Sequence, residues 1–495
     1  MTKKIYSKII CLLTAGSLLT GCFDLEYENF NKINSENFPQ SEADLHAATI
    51  GVYHSLGNSF VMRFMDNSGF ILNTLSTDEM NTAWGHGWFM IDNFLWQSNN
   101  MAGSGLYNEY QKGVTKATRI IDAFDKSDVE ESRKNKSIAE LRVLRVLYAN
   151  LLYSMVGPVP IVTDAEIANN VYSEWKPARP GKEEYVSFMV NEILASYDLL
   201  DATVSAQDYG RLTKGAALTL LMKIYLNDKQ WDKAANVAKQ VMDMGVYDLL
   251  PSYKSVFSSE NEGPVNKEVI FPIQRITSDL SFSWTYFAAV LPSVPMYKAP
   301  NGNQMQIWGG LRMPWAYYDK YEDQDERLET IIRYYTDVNG NEVDFRAVDH
   351  PRAIGASPMK YSEDPEHRGA DQGSDFIMLR YADVILSRAE ALNELSGPTQ
   401  ECIDLINMVR ERANATLLDH TEYTKESLRD FLLDERGREL YCEGHRRNDL
   451  IRHGKFIEKA QEAGKSAQPY HVLFPIPQSV MNENPNLRQN DGYEN

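Results

Sequence analysis

The chain has 495 residues, 24% of them charged, with a formal net charge of −19 at neutral pH. So acidic a composition excludes a general nucleic-acid binder, because phosphate recognition rests on clustered Lys and Arg. It also gives no cationic patch for a membrane surface, and the absence of a low-complexity linker points to one large body with long inserted loops.

Lys3, Lys4 and Lys8 precede a short apolar run from Ile9 to Leu19. The run is too short to span a bilayer and reads as an export signal. It ends Leu19-Thr20-Gly21-Cys22, which resembles the lipobox of bacterial lipoproteins, where cleavage leaves the cysteine lipidated. Residues 1–21 are then a lipoprotein signal peptide. Their removal takes three Lys and no acid, so −19 becomes −22. Residues 22–40 are polar and aperiodic and read as a flexible tether from a lipid-bearing Cys22. Of the remaining cysteines, Cys11 leaves with the signal. Cys402 and Cys442 lie in helical patterns as small buried hydrophobes, with their pairing left open. No Cys and His spacing suits zinc.

Order begins at Ser41, where Ser41 and Asp44 have capping-box spacing ahead of an apolar run to Leu56. The spacing of Leu141, Leu144, Tyr148, Leu151, Leu152 and Met155 predicts a helix over 137–156, stopped by Gly157-Pro158. A further helix is predicted at 182–201, then a pair at 213–226 and 230–244 and a second pair at 378–395 and 399–414. Small residues on facing stripes let each pair close into an antiparallel hairpin, the arrangement of tetratricopeptide units. Between the pairs, residues 246–377 turn to Pro, Gly, Asn and aromatics with short strand-like pieces, and Asn339-Gly340 is a hairpin turn signal. Glu435, Arg438, Glu439, Glu443, Arg446, Asp449 and Arg452 alternate in sign at helical spacing, which suits a salt-bridged surface or a helix junction. The fold class is therefore mainly α.

Several of these segments together resemble the SusD/RagB family. They are AELRVLRVLYANLLYSMVGPVPIV, GRLTKGAALTLLMKIYLNDKQWDKAANVAKQVMDMGVYDL, NKEVIFPIQ, LRYADVILSRAEALNE, INMVRERAN, LLDERGRELYCEGHRRNDLIRHGKF and the ending LFPIPQSVMNENPNLRQNDGY. Departures are Arg447-Asn448, where an aromatic is common, and Gly437 inside a stretch usually all Arg and Glu. The resemblance implies a SusD-like fold over 41–495, with tetratricopeptide-like hairpins near 137–244 and 378–453 and a loop-rich insertion over 246–377. It also implies an outer-membrane lipoprotein facing the cell exterior. Such a protein binds a nutrient, most often an oligosaccharide, for a SusC-like TonB-dependent transporter, without catalysis or cofactor. Two alternatives stand beside it: capture of an oligopeptide, and a helical-repeat adaptor with no nutrient ligand.

The chain has no Gly-x-Ser-x-Gly elbow, no His-Glu-x-x-His and no phosphate-binding Gly-x-x-x-x-Gly-Lys. No pair of carboxylates is singled out for glycoside hydrolysis, so no catalytic residue and no metal ligand is assigned. Aromatic surface remains. Sugar rings stack their apolar C–H faces on flat aromatics, while nearby amides bond the hydroxyls. The candidate ligand contacts are Trp84, Trp88, Trp96 and Asn99 in the first aromatic segment, and Trp284, Tyr286, Trp308 and Trp315 in the second. Asn301, Asn303, Gln304 and Gln306 are further hydrogen-bonding candidates. The ligand is expected to be an uncharged or weakly charged oligomer, since a surface of −22 repels polyanions.

Overall fold

A computed structural model describes residues 38–60, 68–100, 104–170, 172–278, 282–299 and 305–493. The signal segment and Cys22 lie outside the described residues, as do Asn301, Asn303 and Gln304.

Long helices carry the fold. Helix α1 (Glu42–Phe60) opens on the predicted capping box, with Asp44 N donating to Ser41 Oγ at 3.2 Å and Ser41 N to Asp44 Oδ2 at 3.0 Å. Helices α2 (Ser104–Asp125) and α3 (Glu131–Val156) pack as a hairpin, and α1 lies on both. Helix α3 begins earlier than its apolar spacing predicts. Its second half buries Val143, Val146 and Leu147 as well as the expected stripe, because neighbours cover it on several sides. The helix predicted at 182–201 ends sooner: α4 spans Lys182–Leu194, and the remainder turns into a short 3-10 segment, Tyr197–Leu199.

Helices α5 (Lys214–Asn227) and α6 (Trp231–Asp243) form the first small-residue hairpin, and α7 (Tyr381–Ser396) and α8 (Gln400–Arg412) the second. Thr213 and Thr399 cap α5 and α8 through their hydroxyls. The two hairpins stack through α6 and α7, so units far apart in the chain share one core. Helix α9 (Lys425–Leu440) packs on α7.

Seven short strands organise the remainder. They are β1 (Asn81–Thr82), β2 (Val269–Ile273), β3 (Leu311–Pro314), β4 (Tyr334–Thr336), β5 (Glu342–Asp344), β6 (Gly355–Ala356) and β7 (Phe376–Arg380) among the described residues. β2 and β7 pair antiparallel and are buried along their whole length, closing the base of the insertion. β7 corrects the expected helix start at 378, since residues 378–380 are strand and the helix begins at Tyr381. β4 and β5 form the hairpin marked by Asn339-Gly340, with Asp337 Oδ1 accepting from the N–H groups of Asn339 and Asn341. β1, β3 and β6 form a three-stranded sheet in that order.

The alternating charges of α9 and its exit lie at a buried junction, not at the surface. Arg380 donates to Glu443 Oε2 at 2.7 Å, Glu268 Oε1 at 2.8 Å and Glu439 Oε1 at 2.6 Å, all without solvent exposure. Glu435 accepts from Arg327, Arg410 and Arg438, each at 2.7 Å. Charges so buried are tolerable only when every member is paired. Cys402 and Cys442 are both buried and unpaired, so no disulfide joins them, and burial pushes the Cys402 thiol up to about 12.

Candidate functional site

Two aromatic segments distant in sequence meet where β1 pairs with β3. Asn81 lies opposite Arg312 and Thr82 opposite Leu311, and Ala83 N donates to Gly310 O at 2.8 Å. This pairing seats Trp84 on Gly310. A Cβ at position 310 would fall 1.8 Å from Trp84 Cε2 and 2.0 Å from Nε1, so only glycine admits the indole there. Trp88, on the short helix His86–Asp92, meets Trp84 edge to face with ring centroids 4.9 Å apart. Both indoles are half-buried against the core, and neighbouring Phe89 is 48% exposed. Trp308, two residues ahead of Gly310, is also half-buried.

The backbone beneath these rings is held on both sides. Thr82 N donates to Asp92 Oδ2 at 2.9 Å, and Asp92 is ion-paired with Lys465 at 2.7 Å. Trp308 N and Gly309 N both donate to Ala288 O, at 2.6 and 3.0 Å, and Gly310 N to Ala289 O at 2.9 Å. Arg352 Nη1 donates to Trp308 O at 2.6 Å and to Ser293 Oγ at 3.1 Å. Arg312, fully buried, donates to the carbonyls of Val290, Leu311, Gly309 and Arg352. Burial holds its pKa down to about 9. Two guanidinium groups thus fix the loop that carries Trp308. Trp84, Trp88 and Trp308 thus stay partly exposed on backbone that is already held in place, and a group fixed in this way costs less to order on contact with a partner.

The other predicted contacts fall elsewhere. Trp96 is fully buried, its Nε1 donates to Tyr493 OH at 2.8 Å, and its ring packs against Phe474 at 4.7 Å. Trp284 and Tyr286 are fully buried and stacked on each other at 5.0 Å, with Tyr361 edge-on to both. These three are corrected to core residues, because they have no face open to a ligand. Trp315 is half-buried at the far end of β3, its Nε1 donating to Ala353 O at 3.3 Å with Arg346 over its ring at 5.2 Å. Asn99 is exposed in a turn tied to the C-terminal segment through Gln478 N and Ser98 O, 3.0 Å apart. Arg312, Arg352 and Gly310 escaped sequence reasoning. The Gly309-Gly310 pair beside Trp308 was the available signal. Among the described residues, no group of three or more His, Cys, Asp or Glu side chains is placed to hold a metal ion. No helix among them is long and apolar enough to cross a membrane.

Comparison with known proteins agrees with this architecture. The model of the SusD family matches residues 316–493. The chain is 25% identical to the SusD-like protein P25 of Formosa agariphila, over 99% of both chains. It is 26% identical to the starch-binding protein SusD of Bacteroides thetaiotaomicron, covering 86% of this chain and 85% of that one. A solved laminarin-binding SusD-like protein superposes with a TM-score of 0.76 at 20% identity, over 92% of this chain and 100% of that one. The fold is the SusD-like one, and the carboxy-terminal part of the chain, residues 316–493, is similar in sequence to the SusD family.

Proposed function

We propose that this chain is a cell-surface lipoprotein that captures a neutral oligosaccharide on the Trp84, Trp88 and Trp308 platform. On this reading Cys22 carries the lipid that holds it at the outer membrane, and a SusC-like TonB-dependent transporter receives the cargo. The observation that carries the reading is the half-buried Trp84–Trp88 pair, set edge to face beside the β1–β3 ribbon whose second strand follows the Trp308 loop. Flat indoles match the apolar faces of pyranose rings. The names of two similar proteins, one starch-binding and one laminarin-binding, support the ligand class. A shallow platform buries less of its ligand than a deep pocket, so affinity is modest, as release to a transporter requires.

The test is calorimetric titration of the mature chain with malto- and laminari-oligosaccharides among a wider glycan panel. A Trp88→Ala, Trp308→Ala double variant should lose roughly 10- to 100-fold in affinity, the range of one or two truncated anchors. Its helical spectrum should not change. Undiminished binding by that variant would misplace the site. Failure of the wild type to bind any glycan, with binding to a peptide array instead, would replace the ligand class. Co-purification with a barrel encoded beside it tests the transporter separately.

A further inference from the structure

A cleft of about 800 Å³ opens beside the platform, between the 258–260 and 362–365 loops and the β4–β5 hairpin. That size lies within the range of small-ligand sites. It adjoins the platform through one segment: Ser293, bonded to Arg352 with Trp308 O, starts the turn that leads to Tyr297 and Lys298 on the cleft wall.

Three features of the cleft point to a ligand. Tyr334 is 65% exposed and braced on one side: Arg333 lies over its ring at 4.7 Å, and Arg333 is itself held by Asp344 through two bonds of 3.1 Å. With one face of the ring under the guanidinium, stacking is available at the other. Glu363 is half-buried in the wall, and Tyr297 OH donates to its Oε1 at 2.9 Å. Burial raises its pKa. A carboxylate has room for several donors. Ser362 and Ser259 hydroxyls stand alongside, 3.4 Å apart. A braced ring face, a carboxylate acceptor and paired hydroxyls are together the chemistry that reads a pyranose with adjacent hydroxyls.

We propose that this cleft is a second glycan subsite, in which Tyr334 stacks on a sugar ring and Glu363 accepts from its hydroxyls, so that a long oligosaccharide runs from the platform across the Ser293–Met296 turn. The proposal rests on the glycan reading of the platform. It predicts that affinity grows with ligand length beyond what the platform alone can contact.

The experiment uses the mature chain and graded laminari- and malto-oligosaccharides, from trimers to polymer, with other glycan series on an array. Tyr334→Ala and Glu363→Gln alter exposed or half-exposed groups, and helical spectra confirm that both variants fold. Each should weaken binding of the longest ligands by roughly 10-fold, about 1.4 kcal/mol, and of trimers by less than about twofold. The Trp88→Ala, Trp308→Ala variant should weaken every length. Equal affinity of wild type and cleft variants at every length overturns the subsite while leaving the platform standing. Absence of any glycan binding by the wild type overturns both. Preferential loss of a peptide ligand in the cleft variants also overturns the assignment.

Discussion

Trp84 occupies the space that a side chain at Gly310 would need, with its Cε2 only 1.8 Å from where a Cβ would sit. Gly310→Ala therefore displaces the indole from the ribbon. The expected cost is about 1–3 kcal/mol of stability, the usual penalty for overpacking, and glycan binding falls to background in titration. Wild-type affinity in this variant would mean that the seat of Trp84 is irrelevant to the ligand.

Glu439 joins three guanidinium groups: Arg380 at 2.6 Å, Arg327 at 3.1 Å, and Arg412 in a close contact. Glu439→Ala leaves all three short of a partner in the interior. Urea unfolding should show a loss of about 3–5 kcal/mol, as for other broken buried pairs. A loss below about 1 kcal/mol would mean that water enters the junction and compensates.

The same carboxylate makes the protein sensitive to acid. Burial opposes its charge, but Arg412, Arg380 and Arg327 outweigh burial and hold it from its ordinary 4.5 down to about 2. A depressed folded-state value gives stability that is present above about pH 4.5 and lost as pH falls toward 2. Melting temperature should decline through that window, and Glu439→Gln should flatten this part of the decline. An equally steep profile in the variant would assign acid unfolding to other groups.

Glu262 and Asp375 behave in the opposite sense. Asp375 N donates to Glu262 Oε1 at 2.8 Å, which brings the two carboxylates together. Burial raises both, Asp375 to about 7 and Glu262, with the added charge of Asp375, to about 8. Values raised on folding give stability that is full below the ordinary carboxylate range and is lost as pH rises to about 8. Glu262→Gln keeps an acceptor and removes the charge. It should therefore melt higher than wild type at about pH 9 and show no gain at about pH 4. A variant less stable at both pH values would show that the charge is not what matters.

Cys22→Ala should be exported without lipid and recovered away from the outer membrane in fractionation. Normal retention of that variant would remove the lipobox reading.

The helical hairpins were legible because small and apolar residues recur at helical spacing in 213–244 and 399–414, and local pattern suffices there. Leu379 was misread because an apolar run of that length suits strand or helix, and only its partner Phe271 on β2 decides. The platform was legible in part. Trp84, Trp88 and Trp308 stood out by aromatic density, but so did Trp96 and Trp284, whose fates depend on Tyr493 and Phe376, far along the chain. Truncating either should cost about 3–5 kcal/mol of core packing and test stability, not binding. Gly437 looked like an interruption. It leaves room for Tyr317 OH and Arg446 Nη1, which an added Cβ would meet at 2.4 and 2.8 Å.

The buried junction also governs the order in which the molecule can be assembled. Glu268, Arg327 and Arg380 belong to the insertion or its closing strands, yet they share Glu439 and Glu443 from the end of the chain or the arginines those carboxylates hold. Until residues 435–443 arrive, Arg380 and Arg327 have only Glu268 and Asp325 as acidic partners, so each guanidinium is incompletely satisfied for burial. The closing step therefore waits on contacts of long sequence separation, which form slowly. The amino-terminal helices can thus pack on one another first, while the insertion is sealed only after residues 435–443 are in place.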